Sequence, residues 1–116
     1  MSATETGARG EALARRYLEA QGWSLLYQNY RSGKYEIDLV MRDGGYVVFV
    51  EVKARRTTRF GAPAEFVTPA KRKRLIVAAG AYLAEYGLAD SPARFDVVEV
   101  YLATGAVRHL PNAFLA

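Results

Sequence analysis

The chain of 116 residues contains no cysteine and only one histidine, His109. The absence of cysteine excludes a disulfide framework and a thiolate zinc site. The N-terminal stretch lacks the apolar core of a signal peptide, and no apolar run is long enough to cross a membrane. The sequence therefore predicts a soluble, cytoplasmic protein with no membrane partner.

The charge is unevenly distributed along a chain that is otherwise typical of one globular domain. Hydrophobic residues make up 51% of the sequence, enough for a core, and we expect a single domain over 1–116. The formal net charge is +4, and half of the 16 basic residues lie between Lys53 and Arg74, where Glu65 is the only acid. This distribution favours a polyanionic partner.

Hydrophobic periodicity and turn residues predict seven elements. Apolar residues recur at helical spacing before Gly22, and Thr68 followed by Pro69 is typical of a helix start. The predicted elements are a helix over 6–21, strands over 23–31, 35–42 and 46–54, a helix over 68–87, and two strands over 94–110 around Thr104–Gly105. A short tail is expected after Pro111.

The second and third strands form a predicted hairpin, EIDLVMRDGGYVVFVEVKARR, that carries charge on one face. Closure about Gly44–Gly45 would place Asp38 opposite Glu51 and Glu36 opposite Lys53. Side chains alternate along a strand, so these four residues should share one face. The opposite face should then carry Ile37, Leu39, Val50 and Val52.

Two opposed carboxylates repel each other and call for a cation. One interpretation is a cross-strand salt network in which Lys53 neutralises Asp38 and Glu51. The other is a divalent ion, and carboxylate oxygens suit Mg²⁺ or Mn²⁺, whereas a chain without cysteine and with one histidine is poorly suited to zinc. Lys53 could then stabilise charge that develops on a phosphate.

These residues match the D-(x)n-E-x-K signature of the PD-(D/E)XK nuclease superfamily, at Asp38, Glu51 and Lys53. Over nearly the whole chain, the sequence resembles the YraN-like family of small bacterial proteins, which is similar to archaeal Holliday-junction resolvases. The resemblance rests on RGEALARRYLEAQGW, NYRSGKYEIDLV, VVFVEVKARR, RFDVVEV and NAF. It implies an α/β, restriction-endonuclease-like αβββαβ core, with a central mixed sheet flanked by helices.

The resemblance also implies a role for Glu11, because resolvase-like sites commonly add an acid from the first helix. Glu11 would join Asp38 and Glu51 as a metal ligand, although an ion pair with Arg15 one turn away is an equal alternative. Glu36 is a weaker candidate because its predicted partner is Lys53. The family pattern usually has glycine at the position of Tyr35, so local strand geometry can differ here.

Positive charge at the start of the second helix opposes the helix dipole, so folding alone does not predict it. A docking surface for nucleic-acid phosphates would explain this positive charge, and DNA is favoured over RNA. The alternative is a helix end that is simply solvated. The predicted nucleic-acid-binding residues are Arg55, Arg56, Arg59, Lys71, Arg72, Lys73 and Arg74.

The sequence thus predicts a Mg²⁺-dependent (or Mn²⁺-dependent) endonuclease that hydrolyses phosphodiester bonds, with branched DNA as one candidate substrate. The predicted catalytic residues are Asp38, Glu51, Lys53 and Glu11. The alternative is a module with a nuclease-like fold that binds nucleic acid without cutting it. The sequence leaves a homodimer open. Asp96 and Glu99 are interpreted as ordinary strand charges, and His109 as a structural residue or a surface group instead of a catalytic base.

Overall fold

A five-stranded sheet with one helix on each face makes up the fold in the computed structural model, which describes residues 3–56 and 67–114. The order of elements agrees with the predicted one. The elements are α1 (Ala3–Ala20), β1 (Ser24–Ser32), β2 (Tyr35–Asp43), β3 (Tyr46–Arg55), α2 (Pro69–Glu85), β4 (Ala93–Tyr101) and β5 (Ala106–Phe114).

The strands lie in the sheet in their sequence order, β1-β2-β3-β4-β5. Neighbouring strands are antiparallel except β3 and β4, which are parallel and are joined through α2. The sheet is therefore mixed, as predicted. The crossover places the start of α2 on the same side of the molecule as the end of β3, and this helix start is what brings basic residues to the site described below.

Two apolar clusters hold the helices to opposite faces of the sheet. On one face, α1 inserts Ala14 and Leu18 among residues of β2, β3 and β4, and Gly10 allows close approach, because an added Cβ would lie 2.9 Å from the Cβ of Ala54. On the other face, Leu75 and Tyr82 of α2 lie within a second cluster. The sheet residues of this second cluster include Ile37, Val40, Val47, Phe49, Phe95 and Val97.

The predicted start of α2 is confirmed. Thr68 is the N-cap and its hydroxyl accepts a hydrogen bond from the Lys71 backbone N–H at 3.2 Å, while Pro69 begins the helix. The hydroxyl thereby satisfies one of the helix's unpaired N–H groups. No helix in the described parts of the chain is long and apolar enough to span a bilayer.

The prediction of a tail after Pro111 is wrong, since β5 continues to Phe114. Two contacts hold this end: the backbone N–H of Asn112 donates to buried Asp96 at 2.9 Å, and the Phe114 ring stacks on Phe95 at 4.7 Å between centroids. Pro111 is tolerated because β5 is an edge strand, whose outer N–H groups need no partner in the sheet.

Candidate functional site

The candidate site lies where β2 and β3 separate. The predicted hairpin register is confirmed from Asp43↔Tyr46 to Leu39↔Val50, where the pairing ends. One residue further, Asp38 Oδ2 accepts a hydrogen bond from the Val52 backbone N–H at 2.8 Å. The carboxylate thus takes the place that a main-chain carbonyl would occupy in a continuing ladder.

Strict alternation fails at this position of β2. Ile37 packs in the cluster under α2, whereas Leu39 packs under α1, so the prediction that they share a face is wrong. Alternation does hold in β3, where Val50 and Val52 both face α1. The neighbouring strand β1 is also irregular here, because Asn29 has a left-handed backbone with φ of 55°.

Glu51 is buried, with 5% of its surface exposed, and two ammonium groups surround its carboxylate. Lys71 Nζ, from the first turn of α2, lies 3.0 Å from Glu51 Oε1, and Lys53 Nζ lies 3.8 Å from the same atom. The expected Glu36–Lys53 pair is not what forms, because β3 leaves β2 after Val50 and Lys53 instead lies opposite a β4 residue. The nearest cation to Glu51 therefore comes from α2.

The environment of Asp38 opposes its ionisation. Burial, and next the negative charge of Glu51, raise the pKa of Asp38 from 3.8 to about 7. The charge of Glu11 acts in the same direction, while the Val52 N–H and the Lys71 ammonium act against it. A buried carboxyl that lies beside another acid and titrates near neutral pH is a common feature of functional sites.

Glu11 and Glu36 come together at the other side of Asp38, through a residue that the sequence reasoning missed. Asn29 Nδ2 donates to Glu11 Oε1 at 3.0 Å and to Glu36 Oε1 at 2.9 Å. Glu36 also pairs with Arg31 at 3.1 Å. The alternative ion pair between Glu11 and Arg15 does not form, because Arg15 instead bonds Glu19 and Gln28.

A metal ion would find two closely placed carboxylates here. The described residues contain no group of three or more aspartate, glutamate, histidine or cysteine side chains placed to hold one ion, so Glu11 does not complete a set with Asp38 and Glu51. Two carboxylates nevertheless suit Mg²⁺, which is commonly held by one or two carboxylates and keeps several waters. The hard oxygen donors thus fit Mg²⁺ or Mn²⁺.

Asp96 and Glu99, interpreted from the sequence as ordinary strand charges, are buried and have a different environment from Asp38. Burial alone would raise the pKa of Asp96, but hydrogen bonds from His109 and Arg94 outweigh it and hold the pKa below 3.8. The carboxylate of Glu99, fully buried, pairs with Arg55 at 3.0 Å and Arg108 at 2.8 Å. Each of these acids has guanidinium partners, whereas Asp38 lies against another acid.

The predicted basic segment does not form one continuous surface. Arg55 pairs with Glu99, and Lys71 with Glu51. Arg72 Nε donates to the Val67 carbonyl at 3.2 Å. These three cations therefore have partners within the protein.

Other basic residues of the predicted segment face solvent. Lys73 and Arg74 are exposed on α2, and Arg56 is exposed just after β3. Lys34, which the prediction did not include, is exposed at the turn between β1 and β2 and lines a cleft of about 190 Å³ together with Arg74. Arg59 lies outside the described residues.

A signal for Asn29 was present in the sequence. Asparagine is depleted in strands, and the stretch YQNYR carries one inside an otherwise strand-like run. Such a residue favours a left-handed backbone and a break in the pleat. Lys34 had a weaker signal, because a lysine beside a turn glycine is common on any protein surface.

The fold and the site define an α/β protein in which a buried glutamate, paired with two lysines, lies near a half-buried aspartate where two strands separate. A model of the uncharacterised protein family UPF0102 matches residues 10–100, and the chain belongs to this family. The predicted YraN-like family is thereby confirmed. Similar proteins include UPF0102 protein STH1475 of Symbiobacterium thermophilum, 50% identical over 81% of this chain and 80% of the relative, and UPF0102 protein CD630_12710 of Clostridioides difficile, 41% identical over 98% and 100%.

Proposed function

We propose that the protein is a metal-dependent endonuclease of the PD-(D/E)XK type, with a restriction-endonuclease-like core, that hydrolyses phosphodiester bonds in nucleic acid. The supporting observation is the contrast between the buried acids. Asp96 and Glu99 pair with guanidinium groups, whereas Asp38 is half-buried near Glu51, and desolvation and the charge of Glu51 raise its pKa to about 7. An arrangement that costs folding free energy calls for a functional explanation.

In this proposal Asp38 and Glu51 hold the cation, which is Mg²⁺ or Mn²⁺. When bound, the ion supplies Lewis-acid polarisation of the phosphate and lowers the pKa of water. Water adds to phosphorus, one P–O ester bond breaks, and the leaving oxygen takes up a proton. Lys53, within 4 Å of Glu51, stabilises the charge that develops on the phosphate oxygens.

Lys71 has a second role in the proposal. Its ammonium pairs with Glu51 at 3.0 Å and therefore lies close to the position that the cation would take. If Glu51 held the cation, Lys71 would be available to contact a phosphate of the substrate. The exposed cations Lys34 and Arg74 line one cleft together with Lys71 and, with exposed Lys73 of α2, would bind the flanking backbone.

DNA is the proposed substrate, with branched structures among the candidates. Cleavage of a symmetric junction on two strands calls for two sites, and hence for a homodimer. The first experiment is cleavage of a labelled four-way junction, a flap and single-stranded DNA, each with Mg²⁺ and with Mn²⁺. An RNA strand of the same sequence tests the preference for DNA.

The decisive variant is Lys53→Met, with Arg16→Met as a matched control that removes an exposed charge on α1. If Lys53 acts mainly in the transition state, its loss should lower turnover by about 10²–10³-fold while substrate binding changes little. Arg16→Met should cleave like the wild type. Cleavage that persists undiminished in Lys53→Met would place the chemistry elsewhere or reveal a contaminating nuclease.

The second candidate is a nucleic-acid-binding module that does not cut. The Lys71–Glu51 pair favours it, because an ammonium already neutralises one of the two acids without a metal. A wild-type protein that binds these substrates tightly, cuts none of them with any metal, and shows the same melting temperature with and without Mg²⁺ or Mn²⁺ would establish this alternative over the enzyme.

A further inference from the structure

Asn29 has an unusual backbone for a residue inside a strand. Its φ is 55°, in the left-handed region, although it lies in the middle of β1. The flanking register pairs, Gln28↔Leu39 and Tyr30↔Ile37, place it across from Asp38. A non-glycine residue in the left-handed region is strained and persists where the surrounding contacts favour it.

The contacts that favour it are made by the side-chain amide. Nδ2 carries two hydrogens, and one goes to Glu11 of α1 while the other goes to Glu36 of β2, at 3.0 and 2.9 Å. One neutral group thus joins two carboxylates that would otherwise repel each other. The three side chains line a cleft of about 300 Å³, together with Gly7 and Ala8.

Two of the residues that line the cleft are related to the proposed metal ligand Asp38, because Asn29 lies across from it in the sheet and the charge of Glu11 raises its pKa. Glu11 is close enough for its charge to act on Asp38, yet Glu11 does not form a three-acid set with Asp38 and Glu51. Glu11 and Glu36 are therefore placed to act beyond the ion's own ligands. Mg²⁺ and Mn²⁺ held by two carboxylates keep several waters, and carboxylates are strong acceptors for the hydrogens of such waters.

We propose that Asn29 is a positioning residue that holds Glu11 and Glu36 toward the hydrated cation of the active site, so that both carboxylates accept hydrogen bonds from its waters. The inference rests on the proposed metal-dependent function. Groups that orient the surroundings of a metal typically change its affinity by about 10–100-fold. Asn29 therefore acts on the cation through the two glutamates.

The test is Asn29→Gly, because glycine keeps the left-handed backbone at no steric cost and removes only the amide. Asn112→Gly is the matched control, since Asn112 also has a positive φ, 53°, and lies in β5. Mn²⁺ binding is measured by calorimetry without substrate. Asn29→Gly should bind Mn²⁺ about 10–100-fold more weakly than the wild type, and Asn112→Gly should be unchanged. Equal affinity in the wild type and Asn29→Gly would overturn the inference.

A second comparison tests whether Asn29 acts through the glutamates. The double variant Glu11→Gln, Glu36→Gln should lose as much Mn²⁺ affinity as Asn29→Gly, and adding Asn29→Gly to it should cause no further loss. If Asn29→Gly fails to fold, this double variant, which keeps Asn29, decides the matter, and unchanged affinity in it would overturn the proposal.

The outcomes separate this inference from the proposed function. Wild-type protein that binds no Mn²⁺ would overturn both. Wild-type protein that binds Mn²⁺ but cuts no substrate would refute the enzyme, and the affinities of the variants would still decide the role of Asn29. Cleavage by the wild type together with full Mn²⁺ affinity in Asn29→Gly would refute the inference alone.

Discussion

The raised pKa of Asp38 predicts that this carboxyl destabilises the folded protein as the pH rises. The pKa of Asp38 is about 7 in the folded protein, against 3.8 for an ordinary aspartate. Between these values the native state holds a proton that the unfolded chain has released. The free energy of unfolding therefore includes a favourable contribution that is fully present below pH 3.8 and is lost as the pH rises through about 7.

The size of the effect follows from the shift. Each pKa unit corresponds to about 1.4 kcal/mol, so this contribution should fall by about 2–3 kcal/mol between about pH 5 and 8. Because Asp38 and Glu51 interact, the change should follow one apparent titration that belongs to the pair. Asp38→Asn removes the titrating group and keeps an oxygen that can accept the Val52 N–H bond.

The assay is urea unfolding of the wild type and Asp38→Asn at half-unit steps from about pH 5 to 8, with EDTA to remove metal. The difference between the two unfolding free energies should change by about 2–3 kcal/mol in favour of the variant as the pH rises. Asp90→Asn, at an exposed aspartate, is the control and should track the wild type. Parallel curves for the wild type and Asp38→Asn would refute the reasoning.

Two further predictions concern the nucleic-acid surface and the core. Reversal of the exposed Lys73 and Arg74 to glutamate should weaken DNA binding, and each lost phosphate contact should flatten the slope of log affinity against log salt by about 0.9. The control Arg16→Glu should leave this slope unchanged. An unaltered slope in the Lys73 and Arg74 variant would contradict the assignment. Gly10→Ala would place a methyl group 2.9 Å from the Cβ of Ala54 and should lower the free energy of unfolding by about 1–3 kcal/mol. Thermal unfolding would measure this loss. A variant as stable as the wild type would show that α1 can shift to accommodate the methyl group.

The order of elements could be predicted because its signals are local. The turn at Gly44 and the cap at Thr68 act within a few residues, and both lie where expected. The end of β5 could not be predicted from local signals, because it is held by a bond to Asp96 and by stacking on Phe95. Pro111 indicated a tail, and contacts from another strand overrode it.

The same distinction applies to the site. The register predicted that Asp38 and Glu51 lie opposite each other, but the observed pairing ends one residue earlier, at Leu39↔Val50, and Asp38 accepts a bond from the Val52 backbone. The separation of β2 from β3 did not follow from the register, because β3 stays paired with β4 beyond Val50 while its pairing with β2 ends, next to the left-handed backbone of Asn29 in β1. The alternation rule assumes a flat, continuous ladder, and it failed for Ile37 where the ladder ends.

The crossover between β3 and β4 gives Lys71 an ion-pair partner that the sequence did not indicate. In the sequence it belongs to a run of four cations at a helix start, a placement that the helix dipole disfavours. The fold sets the first turn of α2 beside β3, and Lys71 binds a buried glutamate while its neighbours Lys73 and Arg74 stay exposed. The unfavourable interaction with the dipole is thus offset for Lys71 by Glu51, but no such compensation follows for the other two. Under the proposed function, their position is explained by a nucleic-acid phosphate that would approach the helix start from solvent.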